Sequence, residues 1–533
     1  MQEGKALILN GEVSIGIEFG STRIKAVLID AQGHILATGG FNWENQLVNG
    51  IWTYSQDAIL KGLQSAYQSL RLSVEEKYGV SITSAKAIGV SGMMHGYIPL
   101  DSQNHQLVPF RTWRNNFTEN AAKKLTALFN YNIPQRWSIA HLYQAILNQE
   151  LHVAQIDYLT TLSGYVHWLL SGQKVLGIGE ASGMFPINSQ IQTYDQSMLD
   201  SFDNLVAEYQ YPWKLSALLP KVLKAGECAG YLTEEGAKLL DPSGQLQAGI
   251  CMCPPEGDAG TGMVATNSIK ETTGNISAGT SAFAMIVLKK NLSNVYEQLD
   301  MVTTPTGKPV AMAHSNNCTT DINAWVNIFG ECLTLFGAEQ NAEVLYEKLF
   351  QHALNGDDDC GGLLSYGFYS GEHGVGLAEG CPLFLHPTES HFNLANLIRI
   401  HLYSAFGAMK LGMDILMKQE KVEITQILAH GGIFKTPNVA SKILASALNV
   451  PIAVMDTASE GGAWGIALLA NYLDYASTQS LEQYLDDNIF KRTTVSISEP
   501  EPLMIEGYKQ FIQRYVQGIA IEKEAIKLGH INH

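Results

Sequence analysis

The sequence predicts an α/β fold assembled from two similar halves. Three observations carry that reading. Short β-rich runs alternate with amphipathic helices, one strand–turn–strand pattern occurs twice, and the composition is that of a globular chain with a large core. The first copy of the pattern runs from Ser14 to Asp30 and the second from Gly274 to Val287. Each is a β-rich run, a turn of Gly with Ser or Thr, and a second β-rich run. Such a turn offers backbone N–H groups to an anion. Paired turns at Gly20 and Gly279 therefore point to one polyphosphate gripped from two sides.

The elements follow in order. From residue 12 to about 40 the pattern is three strands, broken at Gly20 and Gly33. Ser55 to Leu72 reads as a helix, with Ile59, Leu60, Leu63, Tyr67 and Leu70 at helical spacing. Ala87 to Gly92 is a short buried strand running into a Gly-containing loop. The second half repeats this plan, with strands through 275–313 and a helix from about Ile398 to Lys418. That helix carries Leu402, Phe406, Met409, Met413 and Leu416 on one face. Ile427 to His430 is a strand ending at Gly431-Gly432. Thr436-Pro437 predicts a helix start with Thr as N-cap, and Asn449 and Pro451 its end. Val450 to Met455 is a further strand, and Ser459-Glu460 opens the next helix. A domain boundary is expected near residue 268, giving domains 12–268 and 269–500 and a helical tail over 501–533.

The chain has 533 residues, 46% of them hydrophobic, and a formal net charge of −17. The length allows about two to four domains. The negative charge argues against nucleic acid or an anionic membrane as the main partner. No apolar run reaches the ~18 residues of a bilayer span, and the N-terminus lacks a secretory layout. Seven scattered cysteines predict reduced thiols in the cytoplasm. Cys251-x-Cys253 has no second pair at zinc spacing.

Four segments carry chemistry. In the first hairpin, the amides around Gly20, Ser21 and Thr22 would cradle phosphate, Lys25 would reach the γ-phosphate, and Glu18 would hold a metal through water. Gly257-Asp258 sets a carboxylate on a tight loop just before the second hairpin, where Asp258 is the candidate catalytic base and a metal contact. Gly431-Gly432 and Lys435 form a strand-to-helix turn that lets a nucleotide approach the backbone. The small residues of Glu460 to Ala467 fit either close helix approach or a flat slot for adenine. Finally, Met94-His95-Gly96 ends a strand where His95 could bond a sugar hydroxyl, and Trp113-Arg114 adds an aromatic and polar cluster. Each has a plainer reading: an ordinary hairpin, a solvated turn Asp, a tight connection, a structural His or a half-buried Trp.

Taken together and in this order, the motifs resemble the FGGY carbohydrate kinases of the actin and Hsp70-like ATPase superfamily, over roughly residues 12 to 500. The resemblance implies two ribonuclease H-like α/β domains with a cleft between them. It implies ATP and Mg²⁺ as cofactors and a small sugar as substrate. Gly20-Ser21-Thr22 with Lys25 would be the first phosphate motif, Gly279-Thr280-Ser281 the second, and Gly431-Gly432 the adenosine motif. Asp157 to Gly172 resembles the stretch ending in Leu-Thr-Gly. Met94-His95-Gly96 looks like the sugar loop of the family's xylulose kinases, which favours D-xylulose ahead of L-ribulose. Homodimers are common in the family. Three departures stand out. Glu18 replaces the usual Asp, which moves the carboxylate by about 1.5 Å. Trp113-Arg114-Asn115 lacks the family's Asp, and Ala259 removes a hydroxyl-binding group. A non-kinase actin-like ATPase or a sugar sensor is the reading of another class.

Overall fold

The computed structural model describes residues 2–455 and 461–529. The first sheet contains β1 (Ser14–Phe19), β2 (Arg23–Ile29), β3 (Ile35–Asn42), β4 (Ala87–Gly92), β5 (Cys251–Met252) and β6 (Glu256–Gly257). Its order is β5-β4-β1-β2-β3, with β6 also on β4. β1 and β2 form an antiparallel hairpin, and β4 lies parallel to β1. Ile15, Ile17, Val90 and Ile88 are fully buried, as central strands covered on both faces require.

The helix predicted over 55–72 is present and runs on to Tyr78. Ser55 caps it, accepting from Ala58 N–H at 3.1 Å, and Gly79 ends it in the left-handed region. Val74 and Tyr78 extend the buried stripe of Ile59, Leu63, Tyr67 and Leu70, and each such aliphatic side chain contributes about 1.5–3 kcal/mol. The helix sits directly on β3, where a Cβ on Gly39 would lie 2.2 Å from Leu70 N.

The second sheet contains β7 (Thr273–Ala278), β8 (Ala282–Val287), β9 (Leu299–Thr303), β10 (Pro309–Ser315), β11 (Gln426–His430), β12 (Ile452–Met455) and β13 (Val495–Ser498), in the order β9-β10-β8-β7-β11-β12-β13. Here β7 and β8 form the hairpin and β11 lies parallel to β7. The hairpin-plus-parallel-strand unit of the first half is thus repeated.

Two sequence expectations need correction. The helix expected from Ile398 to Lys418 is divided into Leu394–Ala405 and Gly407–Asp414, followed by a π turn at Ile415–Gln419. At Gly407 a Cβ would lie 2.7 Å from the ring of Tyr515, so the absent side chain makes room for the C-terminal helix. The other concerns Thr436, which is not an N-cap. The helix starts at Ala440, and Asn438 stands between them with φ +60°. Its end is as expected, with Asn449 left-handed at φ +54°. Ser459-Glu460 lies outside the described residues.

The helix Gly461–Tyr472 belongs to the second half of the chain but packs across the first sheet. A Cβ on Gly16 would fall 2.2 Å from Ala463 O, and one on Gly465 only 2.0 Å from Thr261 O. Its small residues therefore serve close backbone approach. The helix Pro502–Gly529 buries Met504, Tyr508, Phe511 and Tyr515, spaced four, three and four apart.

Candidate active site

The first hairpin turn is held by its carbonyls. Gly20 O accepts from Trp43 Nε1 at 2.7 Å, Ser21 O from Tyr54 Oη at 2.6 Å, and Thr22 O from Trp43 N at 3.1 Å. Trp113 Nε1 donates to Ser21 Oγ at 3.2 Å. With the carbonyls committed, Ser21 and Thr22 keep N–H groups that donate to no described protein group. Lys25 stands opposite Glu18 across the hairpin. Glu18 reaches toward the helix Gly461–Tyr472, where a Cβ on Gly462 would lie 2.3 Å from Glu18 Oε1 and 3.0 Å from Thr261 Oγ1.

Thr261 ties this corner to Asp258. Both lie on the helix Asp258–Ala265, which begins directly after β6. Thr261 Oγ1 is 3.1 Å from Ser91 Oγ at the end of β4. Asp258 Oδ1 accepts from Met94 N–H at 3.1 Å. The carboxylate and the Met94-His95-Gly96 loop are therefore joined directly. Burial pushes the Asp258 carboxyl up to about 6, against backbone hydrogen bonds from Met94 and Ala259 that favour the charged form.

His95, the next residue after Met94, has φ +72°. Its Nδ1 donates to Gly183 O at 3.0 Å, and its ring packs 6.2 Å from Trp137. Burial lowers its pKa to about 3, so the ring is neutral and Nε2 keeps a lone pair for a hydroxyl.

Trp113 and Arg114 part ways with that loop. Trp113 joins the first hairpin, as above, while the exposed Arg114 guanidinium stacks 4.0 Å over Trp52. Asn115, where the resemblance would have an Asp, is buried. It accepts from Trp52 N–H at 2.9 Å and donates to Trp52 O at 2.8 Å and Thr112 O at 3.0 Å. An aspartate could not make the two donor contacts.

Two buried acids were missed. Glu256 accepts from Glu180 N at 2.8 Å and Gly179 N at 3.3 Å, and burial raises its pKa to about 8. Glu180 is fully buried. Burial, with the charge of Asp258 nearby, raises its pKa well above the usual carboxylate range. A Cβ on Gly257 would lie 2.4 Å from Glu180 Oε2. The available signal was the acid immediately before Gly257-Asp258; nothing local marked Glu180.

The second hairpin is pinned differently. Gly279 O accepts from Thr319 N at 3.1 Å and Thr319 Oγ1 at 2.8 Å, and Thr280 O accepts from Cys318 N at 2.8 Å. Ser281 O closes the turn on Gly279 N at 2.9 Å. Gly431 has φ +124°, and a Cβ there would fall 2.0 Å from Ala278 O. Only glycine fits against this hairpin. Gly432 faces open space, and Lys435 is exposed at the end of the following 3₁₀ turn.

Among the described residues no group of three or more His, Cys, Asp or Glu is arranged to hold a metal ion. Glu18 and Asp258 are the two carboxylates with hard oxygen donors in this region. That suits Mg²⁺, which takes one or two carboxylates and fills its octahedron with water and phosphate oxygens.

The duplicated sheets and paired hairpins place the chain among the actin and Hsp70-like ATPase folds. Within that class it belongs to the FGGY family of carbohydrate kinases. The family's N-terminal domain matches residues 13–246 and its C-terminal domain residues 274–473. It is therefore a sugar phosphotransferase, with ATP as phosphoryl donor. A xylulose kinase of Haemophilus influenzae is 23% identical over 520 residues, spanning 94% of this chain and 98% of that one. The solved ligand-bound xylulose kinase from Lactobacillus acidophilus superposes with a TM-score of 0.78 at 18% identity, covering 97% and 99% of the two chains. A gluconate kinase from the same organism reaches 0.76 at 18% identity, over 96% and 99%. Near-equal likeness to kinases of different sugars shows the shared fold and leaves the sugar to the site. Among the described residues no helix is long and apolar enough to cross a membrane.

Proposed function

We propose that the chain transfers the γ-phosphoryl group of ATP to the terminal hydroxyl of a ketopentose, D-xylulose ahead of L-ribulose. The observation that carries this reading is the 3.1 Å bond from Met94 N–H to Asp258 Oδ1, which makes the base and the sugar loop one unit. In the reaction, Asp258 takes the hydroxyl proton as that oxygen bonds to the γ-phosphorus. The bond from phosphorus to the bridging oxygen breaks, and ADP leaves. A carboxyl with a pKa of about 6 is mostly ionised at neutral pH and still basic enough to help. His95 Nε2 accepts a second sugar hydroxyl. The free amides of Ser21 and Thr22, with Lys25, bind and polarise the phosphates in the first half. Gly279, Thr280, Ser281, Gly431, Gly432 and Lys435 hold the rest of the nucleotide in the second. Glu18 and Asp258 are the residues that would hold Mg²⁺, which would neutralise charge on the phosphates.

The division falls between a sugar-binding domain over 12–268, to which the helix Gly461–Tyr472 returns, and an ATP-binding domain over the remainder of 269–500, with the cleft between them. D-Xylulose leads because of the Met94-His95-Gly96 loop and the relatives named for it. L-Ribulose is the second reading because Asn115 and Ala259 leave the pocket without two expected polar groups. ADP release with Mg-ATP against D-xylulose, L-ribulose, D-ribulose, L-xylulose, glycerol and gluconate tests this. One ketopentose should raise turnover far above background; stimulation by glycerol or gluconate alone would overturn the substrate assignment.

A further inference from the structure

The Cys251-x-Cys253 spacing has no second pair in the sequence, but the fold brings Cys251 a partner from elsewhere. Its Sγ lies 3.1 Å from that of Cys228, 23 positions earlier in the chain. Cys253 is fully buried, where a Cβ on Gly89 would lie 2.8 Å from its sulfur. Cys228 is exposed and Cys251 half-buried. Among the described residues no other two cysteine sulfurs touch.

Backbone hydrogen bonds fix both sides of this contact. Ala229 N–H donates to Met252 O at 2.8 Å, and Met252 N–H donates to Gly230 O at 2.9 Å. Tyr231 forms an antiparallel bridge with Cys251. Cys251 and Met252 are β5, which lies parallel to β4 in the first sheet. The two thiols are therefore held together by the sheet. Closing a disulfide from here takes a movement of about 1 Å.

Two thiols in contact can hold a soft metal or be oxidised. Among the described residues no group of three or more His, Cys, Asp or Glu is arranged for a metal ion, so the pair lacks the four ligands of a closed zinc site. Thiol–disulfide exchange is the chemistry that fits the pair.

We propose that Cys228 and Cys251 form a dithiol site that reacts with a small-molecule disulfide and closes to an internal disulfide. The Cys228 thiolate attacks one sulfur of the small disulfide, and the other sulfur leaves as a thiol. Cys251 gives its proton to solvent and attacks the Cys228 sulfur, and the second small thiol leaves. The protein loses two hydrogens, and the small disulfide is reduced by them to two thiols. Exposure makes Cys228 the point of entry. Burial first, and then contact with the Cys228 thiol, raise the pKa of Cys251. The second cause disappears once Cys228 is capped, and proximity compensates for a small thiolate fraction. Neither cysteine belongs to the sugar or phosphate machinery. The closed bond would fasten to β5, which leads into β6 and Asp258, a loop that also touches the second half: Ala225 N–H donates to Pro305 O at 2.9 Å.

Hydroxyethyl disulfide, small and uncharged, is the probe. The full-length protein would be exposed to it, quenched with iodoacetamide, digested and read by mass spectrometry. The expected product is the Cys228 peptide joined to the Cys251 peptide, released by dithiothreitol and lost when the same treatment is done in urea. Cys251→Ser should stop at the mixed disulfide on Cys228. In Cys228→Ser, Cys251 should react about tenfold more slowly than Cys228 does in C251S. Cys332, exposed and touching no other cysteine sulfur among the described residues, should stay a mixed disulfide throughout. Thermal unfolding checks that both variants fold. A mixed disulfide on Cys228 that persists in the wild-type protein with Cys251 still alkylated would overturn the proposal. So would joined peptides equally abundant in urea, or Cys251 reacting in C228S as fast as Cys228 in C251S.

Discussion

The two hairpins are built alike and anchored differently. In each, an antiparallel pair has a parallel strand beside its first member: β4 beside β1, and β11 beside β7. In the first half the turn carbonyls accept mostly from aromatic side chains, Trp43 and Tyr54, with Trp113 on the Ser21 hydroxyl. In the second they accept from Cys318 and Thr319, at the start of a helix. The parallel strands also end differently. β4 runs into Met94, whose N–H meets Asp258, whereas β11 runs into Gly431, pressed on Ala278. The lesson is that the scaffold repeats while the groups around each turn diverge. In our reading one turn serves the transferred phosphate beside the sugar, and the other serves the nucleotide.

The largest test of this division is Asp258→Asn. It should lower kcat by about 10²–10⁴ with the fold retained, because the amide still accepts from Met94 N–H but cannot take a proton. Thermal unfolding and ADP release measured together check it. A folded variant with most of its kcat would break the assignment. The same carboxyl sets a pH limb. Its pKa is raised to about 6, so it is protonated and idle below that value, and kcat/KM should fall tenfold per unit as pH drops below about 6. His95, lowered to about 3, stays neutral across the range and should add no limb near neutrality.

Next comes Gly431→Ala, which combines a glycine-only backbone with a 2.0 Å overlap on Ala278 O. It should cost about 3 kcal/mol or more of stability. Gly432→Ala, facing open space, should stay within about 0.5 kcal/mol. Comparable losses in denaturant unfolding would contradict the packing account of the second turn. Asn115→Asp should cost about 1–3 kcal/mol, since the carbonyls of Trp52 and Thr112 lose their buried donor. A variant as stable as wild type would mean the site accepts the family's acid after all. The smallest effect is expected for Trp113→Phe. It removes one hydrogen bond to the half-exposed Ser21 hydroxyl, worth about 1 kcal/mol, so KM for ATP should rise about fivefold.

Much of this was legible in the sequence because the informative residues are close together in the chain. The hairpins at Gly20 and Gly279 and the helix after Ser55 announce themselves through spacing and turn residues, whereas Gly257-Asp258, expected on a tight loop, is a direct strand-to-helix junction. What escaped depends on distant partners. Trp113 bonds a hydroxyl 92 residues away, and Glu180 is buried against Gly257 at the end of β6, 77 residues further on. Asn115 looks like a lost charge until its contacts to Trp52 are seen. Thr436-Pro437 carries a helix-start signal, but the chain turns through Asn438 before the helix begins. The small residues of 461–467 fitted either helix packing or an adenine slot; their contacts with Gly16, Glu18 and Thr261 account for them by packing.

The central claim is that the sugar is held by the first copy of the unit and the nucleotide mainly by the second, with only its terminal phosphates reaching the turn at Gly20. Amide hydrogen exchange on the full-length protein tests it, with D-xylulose alone and then with a non-hydrolysable ATP analogue alone. The account predicts that sugar slows exchange over residues 93–97, and that nucleotide slows it over 279–281 and 431–435 as well as at the phosphate-binding amides of 21 and 22. Nucleotide protection confined to the first half, or sugar protection appearing only in the second, would contradict it.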